Sequence, residues 1–105
     1  MIEVSKINND HYRFTVKSET GQTLLESIPF EDKETLDTTL KRLKTSATLK
    51  RFERKTNFEG KFLFNLKNEQ GRIIGNSGLY TSEAGMENGI KNLKKILGQT
   101  KEIEL

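Results

Sequence analysis

Cationic side chains crowd the middle of this 105-residue chain. Between residues 41 and 55 stand Lys41, Arg42, Lys44, Lys50, Arg51, Arg54 and Lys55, with Glu53 the only acid among them. A polyanion is the natural partner of such a run, because neutralising phosphates releases condensed counterions. Part of the run has a local cause. Glu31, Asp32, Glu34 and Asp37 precede it, and acids before bases suit the dipole of a helix over this stretch. Arg51, Arg54 and Lys55 fall beyond that helix, and on a sheet they can join Arg13, Lys17 and Lys67 in a basic patch. An open sheet that stacks bases also needs exposed aromatics. Here Tyr12, Phe14, Phe62 and Phe64 alternate as a buried strand face would. Nucleic-acid binding through a basic sheet face is therefore the alternative reading, not the favoured one.

The remaining candidates are weaker. Gly85 and Gly89 stand one turn apart in a helical stretch, where each costs about 1 kcal/mol relative to alanine. They imply close approach of a neighbour, or else a shallow ligand groove beside Gly85, Asn88 and Gly89. Tyr80-Thr81-Ser82 precedes the same helix and reads as capping before anion binding. Glu3 and Glu53 are equivalent positions that a twofold can bring together as an acid–base pair, although strand glutamates more commonly face lysine or arginine. His11 is the sole histidine, and no cysteine accompanies it. Neither a metal site nor a nucleophile–base pair can be assembled from that inventory. No catalytic, metal or cofactor-binding residue is assigned, and a non-enzymatic protein is expected.

The elements that position these residues are written twice, 50 residues apart. The run 11–17 aligns with 61–67, Gly21 with Gly71 and Ser27 with Ser77, while Leu36, Leu40 and Leu43 align with Met86, Ile90 and Leu93. In the first copy Ile2 and Val4 begin a strand, Tyr12, Phe14 and Val16 line a second, and a hairpin closing at Gly21 leads to a third at Thr23. A helix follows from a cap at Asp32, with the stripe Leu36, Leu40, Leu43 and Ala47. The second copy repeats this with Phe62, Phe64 and Leu66, the hairpin glycine Gly71, a cap at Ser82 and the stripe Met86, Ile90, Leu93 and Leu97. Gly98 suits the position just past that helix, and residues 101–105 read as a short last strand.

The expected fold class is α+β: two tandem β(3)-α-β repeats forming one mainly antiparallel sheet with two helices on one face, related by a pseudo-twofold. Residues 1–105 make a single domain, with repeat one over about 1–50 and repeat two over about 51–105. Residues 49–56 hold no proline or glycine and read as a strand shared by both repeats. An internally duplicated sheet mimics a dimer, so a monomer is expected.

Bulk properties narrow the class. Net charge is +3, cysteine is absent, and no apolar run approaches the roughly 20 residues that span a bilayer. The first residues carry no basic segment followed by an apolar run, so no secretory leader and a cytoplasmic location are expected.

Arg51-Phe52-Glu53-Arg54-Lys55-Thr56, the run 60–67, Ile73-Ile74-Gly75, Tyr80 and Gly89-Ile90 closely resemble the YegP-like family of small bacterial tandem-repeat proteins of unknown function. The likeness is strong over 50–97 and looser over 2–46. It implies a β(3)-α-β repeat assembled as a single sheet with exchanged C-terminal strands, and it brings no catalytic residues. The first copy departs from the pattern at Ile28-Pro29-Phe30 and at Thr39, where the helix glycine is expected. The favoured function is a non-enzymatic binding or accessory module, its ligand and partners unidentified.

Overall fold

The structure, a computed structural model, describes residues 1–45, 52–68 and 70–99. Three strands precede a helix in each half: β1 (Ile2–Asn8), β2 (His11–Lys17), β3 (Thr23–Ser27) and α1 (Lys33–Thr45), then β4 (Phe52–Thr56), β5 (Phe62–Lys67), β6 (Ile73–Asn76) and α2 (Glu83–Gln99). The strands form one sheet in the order β1-β2-β3-β6-β5-β4, every neighbouring pair antiparallel. The halves meet at β3 and β6, where Glu26 faces Asn76 and Ser27 faces Gly75.

Register carries the sequence pattern into space. Ile2, Val4 and Lys6 oppose Val16, Phe14 and Tyr12, and Phe52, Arg54 and Thr56 oppose Leu66, Phe64 and Phe62. Because side chains alternate along a strand, these residues share one face. Phe14, Val16, Phe64 and Leu66 are fully buried there, in one cluster with Leu36, Leu40 and Leu43 of α1 and Met86, Ile90, Leu93 and Leu97 of α2. Both helices therefore cover the same face. Caps start them as expected: Asp32 Oδ1 accepts the Thr35 N–H at 2.7 Å, and Ser82 Oγ accepts the Gly85 N–H at 3.0 Å. Neither is long and apolar enough to cross a membrane.

Strict alternation would leave Leu24 or Leu25 in water. The pairing instead skips from Val16↔Leu25 to Lys17↔Thr23, and the extra residue lets both leucines bury. Ile74 is turned inward by the same skip, between Leu66↔Gly75 and Lys67↔Ile73. The hairpins that precede these bulges close at Gly21 (φ 89°) and Gly71 (φ 84°), values that side-chain-bearing residues rarely adopt.

Beyond the bulges a serine completes each ladder. Ser27 Oγ accepts the buried Phe14 N–H at 3.0 Å and donates to the Ile28 carbonyl at 2.8 Å; Ser77 Oγ treats Phe64 N–H and the Gly78 carbonyl alike. Ser27→Ala orphans a donor that water cannot reach, and it is expected to cost about 1–3 kcal/mol in urea unfolding. Ser77 is less buried, so Ser77→Ala is expected to cost less.

Two expectations change in the details. The described part of the strand expected to be shared, β4, lies beyond β5 at one end of the sheet, and the halves join through β3 and β6. Gly98 falls inside the last turn of α2, not past it, because the apolar stripe continues to Leu97 and the helix carries on with it. Ala47, residues 49–51, residues 101–105 and hence the exchanged C-terminal strands lie outside the described residues.

Candidate functional site

The expected basic patch is divided between the two faces of the sheet. Arg54 and Lys55 are adjacent on a strand and must point opposite ways. Arg54, opposite Phe64, lies on the helix-covered face and grips Glu87 of α2 with both Nε and Nη2, the latter at 3.1 Å. Lys55, Lys67, Arg13 and Lys17 lie on the helix-free face, and each meets a carboxylate. Lys67 and Lys55 reach Glu53 at 3.1 and 3.9 Å, Lys17 reaches Glu3 at 3.3 Å, and Arg13 reaches Glu26 at 3.7 Å. Arg51 is outside the described residues.

The carboxylates belong to a row the sequence reading missed. Glu3, Thr15, Glu26, Asn76, Asn65 and Glu53 oppose one another strand by strand across the whole helix-free face. Asn76 donates to Asn65 Oδ1 at 2.8 Å, and Asn65 donates to Glu53 Oε1 at 3.2 Å. The face is therefore a mixed-charge polar surface. Glu3 and Glu53 sit on β1 and β4, at opposite ends of the sheet and five strand intervals apart, about 24 Å. They form no acid–base pair.

The Asn65 amide, then the Lys67 ammonium, hold the Glu53 carboxyl below the usual carboxylate range, and the Arg54 guanidinium does the same for Glu87. A carboxyl whose pKa is lower in the folded state stabilises above its unfolded value and loses that contribution as pH falls through the folded one. Stability should thus decline as pH drops below about 4.3. Glu87→Gln should shallow that decline in acid unfolding curves, because the Arg54 pair no longer titrates.

The expected groove at Gly85, Asn88 and Gly89 is closed by the protein's own Tyr80. A Cβ on Gly89 would fall on the Tyr80 hydroxyl and 2.8 Å from Cζ; one on Gly85 would lie 3.7 Å from Cδ1. The ring stacks on Phe64 with centroids 6.4 Å apart, while Asn88 is exposed beside it. Gly89 accordingly admits the phenol, whereas a Cβ on Gly85 would meet the Ser82 hydroxyl first, at 3.1 Å, and the ring only at ordinary contact distance. Fifty residues earlier Phe30 stacks on Phe14 in the same manner, and Thr35 and Thr39 stand where the glycines do. Without a hydroxyl to house, that helix needs no glycine. The Tyr80 hydroxyl is buried without a hydrogen-bond partner, and burial pushes its pKa up.

Ser82 Oγ is engaged as a cap, which leaves Tyr80-Thr81-Ser82 no anion-binding hydroxyl beyond Thr81. His11 Nδ1 lies 3.2 Å from Asn8 Oδ1 at a turn, and no cluster of three or more potential metal ligands occurs among the described residues.

Two concavities escaped the sequence reading: one of about 430 Å³ lies beside His11, Asp10 and Asp32, and the other joins the two halves. Between α1 and the β5–β6 hairpin lies a cavity of about 300 Å³. Its apolar wall is Ile28, Phe30, Leu43, Ile73 and Ile74; Thr35 and Thr39 line its α1 side, Asn68 and Gln70 its hairpin side, and among the described residues Arg42 and Arg72 bring the only charges. The positions fifty residues away from the two arginines hold Asn92 and Gln22. Breaks in the 50-residue match, at Arg42, Arg72 and Thr39, were the available signal. The dipole argument had already accounted for Arg42 and so hid it.

Comparison with known proteins agrees with this architecture. Residues 59–103 match the model of a domain of unknown function, DUF1508. The chain is 33% identical over 93 residues to UPF0339 protein YegP of Escherichia coli strain K12, covering 88% of this chain and 84% of that protein. It is 34% identical over 104 residues to a UPF0339 protein in the ptx operon 5′ region of Stutzerimonas stutzeri, covering 95% and 94%. The solution structure of E. coli YegP superposes with a TM-score of 0.83 at 32% identity, over 93% of this chain and 85% of that one. A UPF0339 protein from Shewanella oneidensis gives 0.81 at 30%, over 90% and 80%. None of these names carries an activity. With the six-stranded sheet, the paired helices and near full-length similarity in agreement, the chain belongs to the UPF0339, or YegP-like, family.

Proposed function

We propose that this protein is a non-enzymatic binding module and that its ligand site is the cavity between α1 and the β5–β6 hairpin. The carrying observation is that this concavity combines an apolar wall with two arginines and, among the described residues, no acid. Ligand pockets have this character, largely apolar with a few placed polar groups, and about 300 Å³ stands at the lower end of their size range. Catalysis finds little support. Among the described residues Asp32 and Ser82 cap helices, Glu53 and Glu87 hold cations, and no nucleophile–base pair is formed.

Amide-shift mapping of the intact ¹⁵N-labelled chain with a cocktail of small organic fragments tests the reading. Saturable shifts clustered at Ile28, Thr39, Ile73 and Ile74 are expected. No saturable shift there would overturn it. Weak nucleic-acid binding through the sheet is the lesser reading, because the described cations of the proposed patch already face carboxylates. It would require retardation of DNA or RNA at low salt that vanishes steeply as salt rises. The module is a monomer on this account, with a sedimentation mass near 12.1 kDa; twice that value at micromolar concentration would contradict it.

A further inference from the structure

We infer that the cavity takes a small organic carboxylate with a compact apolar body, its head group held by Arg42 and Arg72. The inference rests on the cavity being the ligand site and adds the chemical class of the ligand.

Charge comes first. Arg13 and Arg54 are paired with Glu26 and Glu87. Arg42 and Arg72, the other described arginines, form no ion pair among the described residues, and no described aspartate or glutamate lines their cavity. Both arginines are exposed, at the rim of an apolar wall, and the planar fork of a guanidinium matches a carboxylate through two parallel hydrogen bonds. Ile28, Phe30, Leu43, Ile73 and Ile74 then supply contact for an apolar body and no acceptor side chain. Thr39 adds a hydroxyl that makes no hydrogen bond among the described residues, suited to a second contact with the head group.

A carboxylate fits better than a phosphate. Phosphate sites commonly recruit backbone N–H groups at helix starts or in nests. Here those donors are engaged. In the β5–β6 hairpin the Gln70 and Arg72 N–H groups both bond to Asn68 Oδ1, and the Gly71 N–H bonds to the Asn68 carbonyl. At the start of α1 the Thr35 N–H bonds to Asp32. The two guanidinium forks, with the Thr39 hydroxyl and the Gln70 side chain, remain as the anion donors, and the cavity's volume limits the body to about one ring or a short branched chain.

Benzoate, benzamide and inorganic phosphate, titrated into the intact ¹⁵N-labelled chain, test this. Benzoate should give saturable shifts at Thr39, Arg42 and Ile74, with benzamide and phosphate at least about tenfold weaker. Arg42→Gln and Arg72→Gln should each weaken benzoate about tenfold while leaving the melting temperature within a degree or two, since neither arginine has a partner to lose among the described residues. Benzamide binding as tightly as benzoate, or indifference to both substitutions, would overturn the carboxylate assignment while leaving the cavity as a ligand site. Tighter phosphate binding would also overturn it. Failure of benzoate and benzamide alike to shift these residues would overturn the site and the assignment together.

Discussion

Gly75→Leu is expected to destabilise the protein by about 1–3 kcal/mol, although it adds only an apolar side chain to an apolar core. Where β3 meets β6, a Cβ on Gly75 would lie 3.0 Å from both Cγ and Cδ1 of Leu25, closer than such atoms settle. Leu25 is fully buried. It occupies the volume that its equivalent fifty residues on leaves empty. Leu25→Ala is expected to cost about 2–5 kcal/mol, the usual price of a cavity at a fully buried leucine. Leu25→Ala combined with Gly75→Leu should recover part of the combined loss, because the new side chain refills the space across the seam. Urea unfolding of the four proteins reads the coupling. Strictly additive single effects would mean that the two side-chain positions do not compete for one space.

The pair Tyr80 and Gly89 predicts the next largest effect. Alanine in place of a mid-helix glycine ordinarily stabilises by about 1 kcal/mol. At Gly89 the sign should reverse, with a net loss of about 1–2 kcal/mol, because the new methyl displaces the Tyr80 ring from its seat on Phe64. The ring cannot slide away freely. Its backbone is tied to Phe62 by two hydrogen bonds, Phe62 N–H to the Tyr80 carbonyl at 2.8 Å and the reverse at 2.7 Å. Tyr80→Phe should be neutral or stabilising, since the buried hydroxyl has no partner to lose. In that background Gly89→Ala should be better tolerated. Thermal melts of the single and double variants decide it, and a stabilising Gly89→Ala in the wild-type chain would contradict the close approach.

Much of the fold was legible because period and position carry physical meaning. Tyr12, Phe14 and Val16 alternate, Leu36, Leu40 and Leu43 recur at helical spacing, and Gly21 and Gly71 mark hairpins, all without tertiary information. The skips that bury Leu24 and Ile74 were not legible. A bulge depends on pairing between strands, and one strand's alternation cannot reveal it. Sheet order was likewise silent in the sequence, which does not reveal that the described strands of the two halves meet at β3 and β6. Order also separates Glu3 from Glu53.

The candidate site followed the same logic. A cluster of cations along the chain is not a cluster in space, and the adjacency of Arg54 and Lys55 on a strand already implied opposite faces. The glycine pair pointed to a real close approach, with Tyr80 as the group that approaches. The cavity joins Arg42 to Arg72 across the two halves, a juxtaposition that only the packing of α1 against the β5–β6 hairpin creates. Its nearest trace in the sequence was negative: these are positions where the copies stop matching.

The central claim is that function resides in that unmatched cavity. Thr39→Phe tests it most directly, because a ring at Thr39 fills the space with apolar atoms and removes no hydrogen bond among the described residues. The account predicts a variant at least as stable as the wild type in thermal melts that no longer binds benzoate or any cavity-directed fragment. Undiminished binding by a well-folded Thr39→Phe protein would place the site elsewhere and contradict the account.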